Sequence, residues 1–144
     1  MMRALLLVIV FLTMPPLLKA ESGDFGDYTV HYIAVNSTFL TPEIAARYDI
    51  ERNRRTAFLN IAILHNNADG STTPVTASIS GGKRNLLQQG SNIDFREIRE
   101  GTAIYYIGEF DFSNAEILHF DVKVQPEGKG PTHTLTWNTQ LYAQ

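Results

Sequence analysis

The sequence contains no cysteine among its 144 residues. A chain without cysteine forms no disulfide, and it offers no thiolate for a zinc site or for nucleophilic catalysis. Charged residues make up only 19% of the chain and hydrophobic residues 44%, a balance that excludes wholesale disorder. A chain of this length can bury enough apolar surface to fold without disulfides or metals.

Long apolar runs are also missing, except at the start of the chain. Residues 1–20 contain a basic residue, Arg3, then an apolar run at 4–12, and they end on the small residue Ala20. This layout is typical of a secretory signal peptide, and the apolar run is too short to span a bilayer. We therefore expect residues 1–20 to be removed. Residues 21–144 should then form one domain in the periplasm with no membrane span.

The predicted mature chain has an excess of acidic residues. Loss of Arg3 and Lys19 lowers the number of basic residues from 12 to 10, against 15 acidic residues, which gives a formal charge of −5. Nucleic acids and anionic membrane surfaces repel such a chain unless its charges are segregated. We therefore expect no nucleic-acid partner.

Short β-rich segments separated by turn residues run through the rest of the chain. Residues 28–35 are β-branched and aromatic, and residues 117–124 and 132–142 alternate apolar with polar side chains, as in a long antiparallel hairpin. Thr41, followed by proline, predicts a helix start and a short helix over 42–48. Seven or eight antiparallel strands with one short helix predict an all-β, immunoglobulin-like β-sandwich. An up-and-down β-barrel is the alternative.

Two glycine-containing segments are interpreted as interruptions of the β structure. Residues 21–27 are small, acidic and glycine-rich, and they predict a flexible arm. Residues 75–81 alternate as a strand that Gly81 and Gly82 would end. The following Lys-Arg pair does not complete a phosphate-binding loop, because the leading glycine spacing and the final Ser or Thr are missing.

Few side chains offer catalytic or metal-binding chemistry. The four histidines are His31, His65, His119 and His133. His119 and Asp121 share a strand face, so they are the metal-ligating candidates; ordinary surface and core histidines are the alternative. The sequence has no G-x-S-x-G motif, and its serines lie in turns or on the polar face of a strand. We therefore expect no cofactor and no enzymatic activity.

The predicted partner contacts lie in two segments. Strand 28–35 is apolar on both faces and lacks proline and lysine, which predicts an accessible sheet edge open to strand addition. Its contact candidates are Tyr28, Val30 and Tyr32. The second segment is a basic loop whose candidates are Arg47, Arg52, Arg54 and Arg55. Arginine binds carboxylates and phosphates well. The alternative is a solvated loop in which Asp49 and Glu51 pair with the arginines.

Several short motifs carry a family resemblance. They are YTVHY at 28–32, NSTFL at 36–40 with the Pro-Glu helix start that follows, and NRR at 53–55 with NIAIL at 60–64. The chain resembles, over nearly all of its length after residue 20, a family of small exported proteins of Gram-negative bacteria described as a domain of unknown function. The resemblance implies an exported single domain and implies no activity, ligand or catalytic residue.

The sequence as a whole predicts an exported, non-enzymatic binding or assembly protein. Its expected partner is another cell-envelope protein or a second copy of the chain. A His-based metal or small-ligand binding protein is the first alternative, and a hydrolase is the second.

Overall fold

The structure, a computed structural model, describes residues 20–144. The predicted signal peptide, apart from Ala20, lies outside the described residues. Residues Pro42–Arg47 form helix α1, which a 3-10 turn at Ser37–Phe39 precedes. The strands are β1 (Glu21–Phe25), β2 (Tyr28–Asn36), β3 (Thr56–Asn66), β4 (Thr72–Val75), β5 (Ala77–Arg84), β6 (Gly90–Ile93), β7 (Phe95–Glu100), β8 (Ala103–Asp111), β9 (Glu116–Pro126) and β10 (His133–Leu141).

Two antiparallel sheets pack face to face. The six-stranded sheet has the order β1-β2-β3-β8-β7, with β4 also paired to β3, and the four-stranded sheet has the order β10-β9-β5-β6. The predicted all-β sandwich is confirmed, and within residues 20–144 the two sheets do not join into a closed barrel. The predicted C-terminal hairpin is also confirmed, since β10 pairs with β9 from His133 opposite Val124 to Leu141 opposite Glu116.

The predicted flexible arm at 21–27 is wrong. Residues Glu21–Phe25 form β1, which pairs with β2 from Glu21 opposite Tyr32 to Phe25 opposite Tyr28. The ring of Phe25 stacks on that of His133 at a centroid distance of 4.5 Å. Pairing and ring contact together hold a segment whose composition alone indicated a loop.

The predicted strand at 75–81 is two strands in different sheets. Val75 ends β4 in the six-stranded sheet, and Ala77 begins β5 in the four-stranded sheet. Gly81 and Gly82 do not end β5. A Cβ atom on Gly81 would lie 2.3 Å from the backbone oxygen of Asp121, and one on Gly82 would lie 2.6 Å from that of Ser91. The two glycines therefore permit a close approach of the neighbouring strands.

Apolar residues fill two cores, one on each face of the six-stranded sheet. The core between the sheets includes the fully buried Phe120, Leu59 and Ile61. The second core lies on the outer face of the six-stranded sheet and includes Phe58 and Ala45 of α1. Because β3 is buried on both faces, its sequence is a nearly continuous apolar run rather than an alternating one.

Helix α1 begins at the predicted residue, ends at Arg47 and covers the second core, which the sequence did not predict. The Thr41 side chain accepts a hydrogen bond from the backbone N–H of Ile44 at 3.2 Å, which caps the helix. Next to the helix, the Tyr48 hydroxyl donates to Oε1 of Glu100 at 2.7 Å. Burial, and then the bond to Glu100, raise the pKa of Tyr48 above its ordinary value of 10.0. No helix among residues 20–144 is long and apolar enough to cross a bilayer.

Candidate functional site

The structure brings His119 and Asp121 together on the outer face of the four-stranded sheet. They alternate along β9 with the buried residues of the core. The Nε2 atom of His119 lies 3.5 Å from Oδ2 of Asp121, and a guanidinium N–H of Arg84 donates to the same oxygen at 3.0 Å. On its other side, Nδ1 of His119 lies 2.6 Å from Oδ1 of Asn138. An amide oxygen only accepts hydrogen bonds, so this contact is a hydrogen bond in the tautomer that carries its proton on Nδ1.

This arrangement does not fit a metal centre. Two protein donors are too few for the tetrahedral sites that zinc prefers. Within residues 20–144, no group of three or more His, Asp and Glu side chains is placed to hold a metal ion. The positive charge of Arg84 also lies against the one carboxylate oxygen that faces His119, and it opposes a cation there.

The other three histidines lie apart from this pair. His31 is exposed on β2. The Nδ1 atom of His65 lies 2.9 Å from Oδ1 of Asn67, and its ring meets the edge of Tyr28. His133 stacks on Phe25. Each of these three rings therefore belongs to a different local environment.

An open cleft of about 970 Å³ lies along β5 and β6 and reaches β9. Its lining includes Ser80, Gly82, Arg84, Asp94, Asp121 and Lys123. The strand register explains why these residues meet: Ser80 is opposite Lys123, and Gly82 is opposite Asp121. Because Gly82 has no side chain, Asp121 and Arg84 are open to the cleft.

Some charged side chains in the cleft have an ion-pair partner and others do not. Arg84 and Asp121 form an ion pair with side chains 43% and 44% exposed. Lys123 has no ion pair or hydrogen bond within residues 20–144, and it lies on the same face two residues after Asp121. An anionic ligand in the cleft would therefore meet the ammonium of Lys123 on one side of Asp121 and the free N–H groups of Arg84 on the other.

Arg84 and Lys123 were not among the predicted site residues, since the predicted strand ended at the glycines and left Arg84 outside it. With β5 continued to residue 84, Ser80, Gly82 and Arg84 alternate on one face, which is the signal that identifies the cleft.

The prediction that strand 28–35 is an accessible edge is wrong over residues 28–32. In that stretch β2 pairs with β1 on one side and with β3 on the other. Val30 is fully buried in the main core. Tyr28 and Tyr32 are half-buried, and Tyr32 packs on Trp137 at a ring-centroid distance of 4.4 Å. Contact of these residues with a partner stays a prediction. Since Val30 is fully buried, only the side chains of Tyr28 and Tyr32 are available for such a contact.

The four arginine candidates do not form one cluster with the acids of their loop. Arg47 ends α1 and is exposed. Arg52 donates from Nε to the carbonyl oxygen of Leu40 at 2.7 Å, so it fixes the chain before the helix. Arg54 and Arg55 are exposed. Among the described residues, no ion pair joins any of these arginines to Asp49 or Glu51.

Comparisons with known proteins agree with this fold. A family model described as a domain of unknown function, DUF4426, matches residues 22–144. A crystal structure of a DUF4426 family protein from Pseudomonas aeruginosa PAO1 is 29% identical, with a TM-score of 0.75, and the match covers 87% of this chain and 96% of that one. No curated protein matches the chain.

Two more distant structures share the fold. FetP of a uropathogenic Escherichia coli strain, expressed recombinantly in the periplasm, is 10% identical with a TM-score of 0.63, and the match covers 88% of this chain and 96% of that one. A copper-bound variant of FetP is 9% identical with a TM-score of 0.62, over 88% and 97% of the two chains. The predicted resemblance to a family of unknown function is confirmed, and FetP adds a likeness of fold alone.

Proposed function

We propose that this chain, which belongs to the DUF4426 family, is an exported periplasmic protein that works by binding and not by catalysis. The observation that carries the proposal is the cleft of β5, β6 and β9, where Arg84, opposite His119, and Lys123, opposite Ser80, lie on one open face with Asp121 between them. The ligand that this chemistry favours is a small polar molecule with a carboxylate or phosphate group.

The contacts of His119 support binding over hydrolysis. A histidine that acts as the base of a hydrolase uses one ring nitrogen for an orienting partner and the other for the nucleophile. In this chain Nδ1 faces Asn138 and Nε2 faces Asp121. Ser80, the hydroxyl on the neighbouring strand, lies opposite Lys123, whereas Arg84 lies opposite His119. The strand register therefore does not bring this hydroxyl to the ring, and the site favours recognition of a ligand.

A titration followed by two-dimensional NMR tests the ligand class. Inorganic phosphate and succinate are the probes, and the amide signals of Ser80, Gly82 and Asp121 should shift in a saturable way. Arg84→Gln and Lys123→Gln should each weaken the binding about tenfold, and Lys129→Gln, an exposed lysine outside the cleft, should leave it unchanged. Shifts confined to other strands, or no saturable shift with either probe, would contradict the proposal.

Copper is a further probe in the same titration. The copper-bound FetP variant has this fold, and His119 with Asp121 is the only pair of predicted metal ligands that the described residues bring together. Tight copper binding that His119→Gln abolishes would replace the small-ligand proposal by the metal alternative. We expect copper to bind weakly and to lose no affinity in that variant, because Arg84 competes for the carboxylate.

Export is tested separately, on the cells. The layout of residues 1–20 supports cleavage after Ala20, so mass spectrometry of the periplasmic fraction should find a chain that begins at Glu21. A chain that keeps Met1, or that stays in the membrane pellet after salt washing, would contradict export by a cleaved signal peptide. Crosslinking in intact cells then tests for a cell-envelope protein or a second copy as partner.

A further inference from the structure

Strand β10 is an edge of the four-stranded sheet. All nine of its residues pair with β9, from His133 to Leu141, and the pairing contains no bulge. Within residues 20–144, no strand pairs with the other side of β10, and no loop or side chain bonds to the backbone of 133–141. Alternate residues of an edge strand direct their N–H and C=O groups away from the sheet. Strand β10 therefore offers a row of unpaired backbone donors and acceptors.

The other edges of the sandwich are protected against the addition of a strand. Strand β1 has only five residues and carries the exposed acids Glu21 and Asp24. In β7 four of the six residues are charged, β4 contains Pro74, and β6 has only four residues. Residues 33–36 of β2, which extend beyond its pairing with β1, are buried. Charge, proline, short length and burial are the features by which natural sheets block edge-to-edge pairing.

Strand β10 has none of these protecting features. Its sequence, HTLTWNTQL, contains no acidic residue, lysine, arginine or proline, and it is longer than the common strand of about five or six residues. Its exposed residues are Thr134, Thr136, Asn138 and Gln140. Each of their hydroxyl and amide groups both donates and accepts hydrogen bonds, so this row is complementary to the same row on a second copy.

Charge favours a second copy of the chain as the occupant of this edge. Residues 21–144 contain 10 basic and 15 acidic residues, a formal charge of −5, so two copies repel each other unless they meet through an uncharged surface. Strand β10 is such a surface. A two-fold axis at its middle residue, Trp137, would pair the strand antiparallel with its own copy and place exposed residues opposite exposed ones. Trp137 is half-buried on the inner face, and the second copy would cover it further.

We infer that two copies of this chain associate by antiparallel pairing of β10 with β10. The two four-stranded sheets then join into one sheet of eight strands, and the contact is the same on both copies, as in most soluble homodimers. The cleft stays open, because β5 and β6 lie on the far side of β9 from the new contact. The inference is therefore independent of the ligand proposed for the cleft.

Analytical ultracentrifugation of residues 21–144, which hold all ten strands and both cores, tests the inference without any added partner. Over a concentration series that reaches about 1 mM, the mean mass should rise from that of one chain towards that of two. Added salt should strengthen the association, because it screens the repulsion between two acidic copies. The mass of a single chain at every concentration would overturn the inference.

Like charges placed on the free strand should weaken the dimer. In Thr136→Lys with Asn138→Lys, the ammonium groups of both copies lie next to the two-fold axis, and we expect the dissociation constant to rise about tenfold or more. Thr136→Glu with Asn138→Glu should weaken the dimer in the same way. An equimolar mixture of the two double variants should associate about as tightly as the wild type, because opposite charges then face each other across the contact. This rescue distinguishes a contact at β10 from loss of the fold.

Two control variants and one local measurement place the contact. Ser78→Lys with Thr102→Lys adds the same charge at exposed positions away from β10 and should not weaken the dimer. Leu86→Ser with Leu87→Ser removes the two most exposed leucines and should also leave it intact. Amide hydrogen exchange of the wild type should show protection of residues 133–141 that increases with chain concentration, and no such increase in β7, the edge strand farthest from β10.

Two further results would overturn the inference. One is a dimer that neither charged double variant weakens, although circular dichroism shows both to be folded. The other is a dimer without concentration-dependent protection of residues 133–141, such as one that Leu86→Ser with Leu87→Ser abolishes, since the contact would then lie elsewhere. The exchange measurement uses only the wild type, so it decides the question even where a charged variant fails to fold.

Discussion

The hydroxyl oxygen of Tyr106 in β8 accepts a hydrogen bond from the backbone N–H of Ala77, the first residue of β5, at 2.9 Å. The same hydroxyl donates to Oε1 of Glu97 at 2.8 Å. Ala77 is the point where the chain leaves the six-stranded sheet and enters the four-stranded one. One buried side chain therefore fixes the crossover between the two layers of the sandwich.

Removal of this hydroxyl should destabilise the fold. In Tyr106→Phe, the part-buried N–H of Ala77 loses its acceptor while the ring still fills the core. A fully buried unsatisfied donor costs about 1–3 kcal/mol, so we expect a loss of about 1 kcal/mol. Urea unfolding should detect the loss. Tyr142→Phe is the matched control, because Tyr142 is 51% exposed, and it should unfold as the wild type does. Equal stability of the two variants would mean that the crossover does not depend on Tyr106.

The same contact predicts an acid-dependent part of the stability. The hydrogen bond from Tyr106, and then that from Arg99, hold the pKa of Glu97 below its ordinary value of 4.5. A group with a lowered pKa in the folded state stabilises the protein fully above its unfolded pKa and loses this contribution as the pH falls through the folded value. Wild type should therefore exceed Glu97→Gln in unfolding free energy near neutral pH.

This difference should shrink below about pH 4.5 and vanish at more acid pH. Urea unfolding of both proteins between neutral and acid pH measures it. Glu51→Gln removes an exposed carboxylate without an ion pair and serves as the control for the loss of one negative charge. A gap between wild type and Glu97→Gln that is constant over the whole range would contradict the assignment.

The fold class could be predicted from the sequence because a strand buried on one face alternates apolar with polar residues, and the sequence shows this alternation directly. Along β9 the alternation of apolar and polar side chains gave the right faces, and Thr41 with its following proline gave the helix start. The adjacent Tyr105 and Tyr106 are both buried, in different cores, because successive side chains of β8 point to opposite faces and both faces are covered. A second core was not predicted, since a strand buried on both faces has no alternation.

The candidate site was predicted only in part. His119 and Asp121 are two residues apart, so their common face follows from local geometry. Arg84 joins them through the pairing of β5 with β9, which no local pattern reveals. The error at Gly81 and Gly82 has the same cause: glycine weakens a strand by local propensity, but close backbone contacts from two neighbouring strands require it at these positions.

Trp137 should contribute to stability less than a fully buried ring. It is half-buried and lies between Tyr32 and Phe120, at ring-centroid distances of 4.4 and 5.1 Å. A fully buried aromatic costs about 3–5 kcal/mol on truncation to alanine, so Trp137→Ala should cost roughly 2–3 kcal/mol. Thr136→Ala, an exposed neighbour on the same strand, should cost little.

The single tryptophan also gives a direct optical test. Its native emission maximum should lie between those of buried and exposed indole, and Tyr32→Ala should shift it to longer wavelength. An emission maximum equal to that of the unfolded chain would show that the ring is not packed between these partners.

A methyl group on Gly82 should damage both the sheet and the cleft. The added Cβ would lie 2.6 Å from the backbone oxygen of Ser91, so β6 would have to move away from β5. Overpacking of this kind costs about 1–3 kcal/mol, and Gly82→Ala should show it in thermal unfolding. Ser80→Ala, two residues earlier on the same face, should keep the wild-type melting temperature. If Gly82→Ala kept the wild-type melting temperature, β6 would be able to move away from β5 without destabilising the fold.

The pair of Tyr48 and Glu100 should bind the segment after α1 to the six-stranded sheet more strongly than its single hydrogen bond suggests. Both side chains are buried, at 8% and 9% exposure, and the hydroxyl donates to the carboxylate at 2.7 Å. In Tyr48→Phe the carboxylate loses this donor inside the protein, and a hydrogen bond to a charged group is worth about 1.5–3 kcal/mol. The double variant Tyr48→Phe, Glu100→Leu should recover part of that loss, because it removes the unsatisfied carboxylate as well.

Unfolding free energies of the wild type, both single variants and the double variant complete the cycle. Losses that simply add would show that the two side chains act independently and that apolar contacts alone hold the helix.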